Sequence, residues 1–401
     1  MKKYVVAFAG KRDLYQVPLA LYEDNLLCKL KTNFYAPDKE SIWYRFLPKY
    51  LKKGHIDGLP KKAVDSDIKS LVALALRKFF KLDHFTIDYY IVKSLSLGAA
   101  RIAEKNDCDL FLYSGCGLWA FEKLPNKKKV LFQYHPHSEG IKGILEKDYN
   151  EFPEVLWSYQ NEIDTSSNED PRIKKLNSEW KLASHIICAS SFTKQSLINV
   201  GCDENIISVV PYGFSKSTEQ INIRSEKNEK CKFLFVGQGI QRKGLHHLIK
   251  AWELANTKNA ELTLICTRID PGIKKLITEN TNIVLKNKVS TEELNNFYYQ
   301  SDIFIMPSLV EGFGLVYLEA IEAGCYCIGS KNTGLPDLNL PESVADICSA
   351  GDIDSIEKTI NNGFKKWEND ELDRESIANH ASHWTWNDFR KGITHVLNDL
   401  K

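Results

Sequence analysis

The 401-residue sequence contains no apolar run near the roughly 18 to 20 residues that a membrane-crossing helix requires, so no transmembrane span is expected. Its first apolar stretch, Tyr4 to Gly10, is ended by Lys11-Arg12-Asp13 after seven residues. That is too short for a secretory leader, and it reads as a first buried strand. Charge of one sign is also lacking: 53 Lys and Arg stand against 52 Asp and Glu, a net charge of +1, which argues against nucleic acid as a partner. The ten cysteines form no C-x-x-C and no Cys/His cluster of zinc-ligand spacing. Cys188, Cys266, Cys325 and Cys327 lie in strand-like apolar surroundings, where a reduced thiol acts as a small hydrophobe, and a cytoplasmic location is expected. No G-x-S-x-G nucleophile elbow is present.

What is present has the composition of a soluble globular chain, 43% hydrophobic and 26% charged, and is long enough for two domains. Short continuous apolar runs recur between helical patterns: Tyr4 to Ala9, Leu110 to Tyr113, Lys129 to Tyr134, His185 to Ala189 and Ile207 to Pro211. Continuous runs are the mark of parallel strands buried on both faces. A polar, aperiodic stretch follows, and the rhythm restarts at Lys232 to Val236, then Leu262 to Cys266, Ile283 to Leu285, Ile303 to Met306 and Tyr326 to Gly329. The pattern predicts an α/β protein of two Rossmann-like domains facing a cleft, over residues 1–214 and 231–383. Residues 215–230 link them, and 384–401 form a C-terminal helical stretch. Ligands of such sheets bind beyond the carboxyl ends of the strands, so the loops after these runs carry the interest.

The most informative loop lies in 301–337. The strand Ile303 to Met306 leads through Glu311-Gly312-Phe313-Gly314 into a helix that Gly324 can end. Free amides at Gly312, Phe313, Gly314 and Leu315 would suit phosphate, and the glycines would let a ligand approach the backbone. Glu311 and Glu319, eight residues apart, are separated by at most about 12 Å along a helix. Two hydroxyl acceptors flanking an amide cradle match a nucleotide sugar, which has a hydroxylated ring at each end of a diphosphate.

This string resembles the retaining glycosyltransferases of family 4 (glycosyl transferases group 1), whose fold is the GT-B pair of Rossmann-like domains. The resemblance implies that Glu311 contacts the donor sugar, that Glu319 holds the ribose, and that the C-terminal helix crosses back to the N-terminal domain. Phe235 to Gly244 resembles the family's strand-loop-helix that presents Arg and Lys to the diphosphate. Lys243 and Gly244 match, but the usual Arg falls on Gln238, which leaves the charge to Lys243 and, if the turn aims it there, to Arg242. Gly10, with Lys11 and Arg12 on the acceptor side, stands where the family has a glycine loop near the donor phosphates. His135 stands where the family has a histidine beside the transferred sugar. Ser190 to Lys194, Val210 to Gly213 and Trp384-Thr385-Trp386 extend the resemblance, which is weakest over 30–105. It implies a nucleotide diphosphate sugar as substrate, with no cofactor and no metal, and a saccharide or lipid-linked saccharide acceptor of bacterial surface polysaccharide synthesis.

Competing signals point elsewhere. Gly115-Cys116-Gly117-Leu118-Trp119-Ala120 matches a dinucleotide-binding fingerprint, but it is not in the first βα unit, and Trp119 would crowd a pyrophosphate, so a packing turn is expected. Three D-x-D pairs suggest a metal-dependent class. Asp65/Asp67 and Asp352/Asp354 precede helical patterns and read as caps, while Asp107/Asp109 precedes its strand. Between Ser41 and Lys81 ten Lys and Arg face three Asp and Glu, a local charge of +7, and Ile68 to Lys81 has an amphipathic pattern. A solvated face is the first reading of this patch and peripheral contact with an anionic membrane the second. A nucleotide-sugar epimerase or hydrolase, an NAD-dependent oxidoreductase and a non-catalytic sugar-binding module remain the alternative functions.

Overall fold

The computed structural model describes residues 2–36, 54–67, 69–70, 72–73, 84–161, 170–215, 227–255, 257–277 and 282–400. Most of the amphipathic pattern of 68–81 and most of the 215–230 linker lie outside them.

The first sheet is formed by β1 (Tyr4–Phe8), β2 (Leu27–Thr32), β3 (Val64–Ser66), β4 (Asp109–Tyr113), β5 (Lys129–Gln133), β6 (His185–Cys188) and β7 (Ile207–Val209). All pairings are parallel, in the order β3-β2-β1-β4-β5-β6-β7. The second contains β8 (Cys231–Gly239), β9 (Ala260–Ile269), β10 (Ile283–Lys286), β11 (Ile303–Met306), β12 (Tyr326–Ser330) and β13 (Ala345–Cys348), also parallel, in the order β10-β9-β8-β11-β12-β13. Each central strand read from a continuous apolar run is present, because a strand covered by helices on both faces has no position where a polar side chain is free of cost.

Three strands, β2, β3 and β13, were not apparent from that criterion. In β2 the sequence Leu27-Cys28-Lys29-Leu30-Lys31-Thr32 interrupts the apolar run with lysines. Lys31 is nevertheless buried, and its Nζ lies 3.0 Å from Asp65 on the edge strand β3 and 3.9 Å from Asp67. This corrects the reading of Asp65 as a helix cap. Asp65 belongs to a strand, and Asp67 accepts hydrogen bonds from the hydroxyls of Ser70 and Ser94. Asp352 does cap the helix Ile353–Glu368, accepting from the Ser355 amide. The ten cysteines are unpaired and, apart from the half-buried Cys28, buried.

The final helix, Trp386–Asp399, packs against the helix Gln16–Glu23 of the N-terminal half and places Phe389, Ile393 and Leu397 in that half's core. Arg390 holds it there through Glu23 (2.9 Å) and Gln16 (2.8 Å). At the crossing, Tyr212 packs its ring against Phe132, Phe313, Trp386 and Phe389, so one aromatic cluster joins both halves and the returning helix. No helix among the described residues is long and apolar enough to cross a membrane.

Candidate active site

The loop after β8 makes a short 3-10 turn, Gln241–Lys243, ended by Gly244 in the left-handed region (φ +67°). Only glycine fits there: a Cβ would lie 2.2 Å from the Pro307 carbonyl oxygen at the end of β11. The turn aims two cations at the neighbouring loop. Lys243 Nζ forms an ion pair with Glu311, and Arg242 Nη1 lies 3.4 Å from the same carboxylate oxygen. The Glu311 side chain is only 14% exposed. Burial pushes its pKa upward, but Lys243 and Arg242 outweigh this and hold it at about 2. Burial pushes Lys243 down, and Glu311 offsets part of that. The cluster is therefore charged and dry, a preorganised place for a second anion.

The N-terminal half faces it closely. The Gly312 carbonyl accepts from the hydroxyls of Ser190 (2.5 Å) and Thr193 (3.2 Å), and the amide and hydroxyl of Ser191 bind Asp337. A Cβ on Gly312 would lie 2.6 Å from the Tyr134 carbonyl oxygen and 3.5 Å from His135 Cα. The backbone that this glycine admits on its Cα side is the protein's own opposite half. Gly314 (φ +93°) is required by its conformation, and the Phe313 side chain is buried against Tyr212, leaving its amide as the part that could meet a ligand. The Gly312 amide donates to its neighbour Glu311 Oε1 (3.1 Å).

A cavity of about 600 Å³ lies between the halves, lined among others by Arg12, Gly115, His135, Gln238, Arg242 and Arg268. Gln238, at the end of β8, thus reaches the cleft but without charge, while Arg242 supplies the second cation. His135 Nδ1 lies 3.2 Å from the Pro136 carbonyl. Arg12 lies over the Tyr134 ring at 4.2 Å. Gly10 (φ +80°) donates its amide to Asn33, and Lys11 is exposed. Of the ion cluster only Arg242 lines this cavity; Lys243, Glu311 and residues 312–315 do not. Glu319 is not in it either. It lines a recess of about 300 Å³ with Leu14, Phe214, Leu315 and Trp386, and it accepts from the Tyr298 hydroxyl at 3.0 Å. The residue as a whole is exposed, but surrounding protein raises the pKa of its carboxyl group, a rise the Tyr298 bond opposes.

Three features of the cleft had no clear sequence signal. Arg268, at the end of β9, brings a further cation and lies over the Trp157 ring at 4.4 Å. Asp13, Leu14 and Tyr15 are consecutive non-glycine residues in the left-handed region (φ 37°, 52° and 64°), a strained turn behind Gly10. Asp13 there accepts from the Val17 amide, and burial raises its pKa to about 7. Finally, Glu179 fills the Gly115 turn, accepting from the amides of Gly115 (2.5 Å), Gly117 (2.8 Å) and Leu118 (3.2 Å). The amides a dinucleotide pyrophosphate would need are already bound to the chain's own carboxylate, and the turn packs as expected.

Two facing parallel sheets with a returning C-terminal helix form the GT-B arrangement, and a match to known proteins agrees. Residues 216–384 match the family model "Glycosyl transferases group 1", so the chain carries such a domain. It is similar to the capsular polysaccharide biosynthesis glycosyltransferase CapM of Staphylococcus aureus, 28% identical over 230 residues, covering 53% of this chain and 59% of that one. A second relative is the amylovoran biosynthesis glycosyltransferase AmsK of Erwinia amylovora, 24% identical over 293 residues, covering 67% of this chain and 66% of that one. The chain thus spans about three fifths of the length of the curated relatives it matches. Among solved structures, Anabaena HepE in complex with UDP and glucose superposes with a TM-score of 0.57 at 13% identity over the full length of both chains, a likeness of fold.

Proposed function

We propose that the chain is a retaining glycosyltransferase, transferring a hexosyl group from a nucleotide diphosphate sugar to a saccharide or lipid-linked saccharide in bacterial surface polysaccharide synthesis. The observation that carries this reading is the Lys243–Glu311–Arg242 cluster after β8 and β11, with His135 near enough to act electrostatically on Glu311. CapM and AmsK, named for capsule and amylovoran synthesis, support the polysaccharide context, and the UDP and glucose of HepE support the donor class.

Without a donor, Glu311 satisfies the two cations. A diphosphate entering the cleft takes over Lys243 and Arg242 and leaves Glu311 to accept hydrogen bonds from the sugar hydroxyls. The bond between the anomeric carbon and the phosphate oxygen then breaks as the bond to the acceptor oxygen forms on the same face. The acceptor's proton passes to the departing phosphate oxygen, whose charge the cations stabilise. Glu319 holds the ribose, His135 stands beside the transferred sugar, and Lys11 and Arg12 border the acceptor side. The donor site works without a divalent metal because side-chain cations supply the positive potential. Contact of the basic 41–81 segment with anionic lipid belongs to the same proposal. Sedimentation with phosphatidylserine vesicles that falls with salt is expected, and equal recovery in the supernatant with and without anionic lipid would refute it.

The test is thermal stabilisation by UDP, GDP, ADP and NAD, followed by turnover of the sugar of the protecting nucleotide. A ligand at a hundred times its Kd adds about 2.7 kcal/mol. Protection by UDP or GDP without Mg²⁺, with product formed only when a saccharide acceptor is added, is expected. Protection by NAD alone, or donor consumption indifferent to acceptor, would refute the transferase reading in favour of an oxidoreductase or of a hydrolase or epimerase.

A further inference from the structure

Away from the cleft, two consecutive histidines at the start of the helix Leu245–Leu254 meet a carboxylate from the other half of the chain. His246 Nε2 lies 3.2 Å and 3.1 Å from the two oxygens of Asp148, and His247 Nε2 lies 2.5 Å from Oδ1. Asp148 belongs to the helix Ser138–Glu151 of the N-terminal half. All three residues are buried, the histidines completely. Their ligating atoms lie within 4.8 Å of one another, so the three side chains converge on one small volume. We propose that Asp148, His246 and His247 form a binding site for a divalent transition metal of the zinc class, shared by the two halves of the chain and clamping them together.

Burial and donor chemistry both point this way. The three side chains meet in an interior that water does not reach, at a junction between the two halves. The Nδ1 atoms of both rings are buried and have no hydrogen-bond partner among the described residues. Two imidazoles and one carboxylate form a donor set for zinc, cobalt or nickel, whereas Mg²⁺ and Ca²⁺ prefer oxygen ligands throughout.

The surroundings behave as a supporting shell. Gln241 Nε2 donates to Asp148 Oδ2 (2.8 Å) and to the Leu145 carbonyl (2.7 Å), which fixes the carboxylate's orientation. Gln241 begins the turn that carries Arg242 and Lys243, so an ion on Asp148 steadies the segment aimed at Glu311. Neighbouring contacts cross the same junction: the Ser158 amide to Asp270 (2.7 Å), the Gln241 amide to Ser158 Oγ (3.1 Å) and Lys250 to Glu154 (3.0 Å). The ion would thus lock an interface the fold already builds.

The full chain, purified without a histidine tag, should retain close to one zinc per chain by elemental analysis. After chelation, equimolar Zn²⁺ but not Mg²⁺ should restore the lost thermal stability, and Co²⁺ should produce a visible d–d absorption band. Asp148→Asn and His246→Gln should abolish that band. Because either variant could fold poorly, Gln241→Leu provides a second readout: all three ligands remain, the band persists at saturating Co²⁺, and metal affinity falls about 10- to 100-fold. Wild-type protein with no d–d band at saturating Co²⁺, or a band unchanged in folded His246→Gln, would overturn the proposal and leave a hydrogen-bonded clamp in its place.

Discussion

Replacing Gly312 with alanine should act on closure of the cleft and leave each half intact. Its new Cβ would lie 2.6 Å from the Tyr134 carbonyl oxygen, against about 3.3 Å or more for an ordinary carbon–oxygen contact. The obstacle is backbone, so no rotamer change relieves it. Nor can the Gly312 segment slide freely, since Ser190 and Thr193 both hold its carbonyl. Gly312 is not among the glycines with positive φ, so alanine costs little within its own loop. Overpacking of this kind costs about 1 to 3 kcal/mol, which corresponds to a 5- to 150-fold shift from closed to open. If closure is needed to bring His135 to Glu311, donor kcat/KM should fall by a similar factor, and Gly312→Val should fall further. Small-angle scattering should report a larger radius at a temperature where circular dichroism is unchanged. Full turnover and an unchanged radius in both variants would refute the argument that this glycine exists for the opposite half.

Glu311→Gln should lower kcat by a larger factor than it lowers nucleotide diphosphate affinity, and Glu319→Gln should do the reverse; donor kinetics and UDP or GDP titrations measured side by side decide this. Gln238→Arg should tighten diphosphate binding, by about 1 kcal/mol if the guanidinium reaches a phosphate, and weaker binding in calorimetry would count against that placement. Glu311 is depressed from its ordinary 4.5 to about 2, so its stabilising contribution is complete above about pH 4.5 and is lost as pH falls toward 2. Denaturant unfolding followed over that range should show a shallower decline in Glu311→Gln than in wild type, and parallel curves would contradict it.

Much of the donor half was legible in the sequence because its signals are local. The strand-loop-helix of 303–322 places Glu311, the glycines and Glu319 by backbone geometry alone, and continuous apolar runs marked the central strands of both sheets. The two strands at the β3 end of the first sheet were harder to see. The lysines of β2 and the three residues of β3 look like loop until Lys31 is paired with Asp65 across the sheet. The direction of Arg242 depended on the left-handed Gly244 and on where β11 ends, neither of which spacing reveals.

The sequence by itself determined the alternation of strands and helices, the restart of that pattern after residue 230, and the charged and glycine-bearing residues at the strand ends, since each follows from residues close together in the chain. Only the tertiary structure decided which of them meet. Glu179 reaches the amide of Gly115 across 64 positions, Asp148 meets His246 across 98, and Ser190 binds Gly312 across 122. A buried carboxylate or histidine costs free energy that only its partner offsets, and its partner is chosen by how two sheets and their helices dock. No period or spacing along the chain encodes that choice.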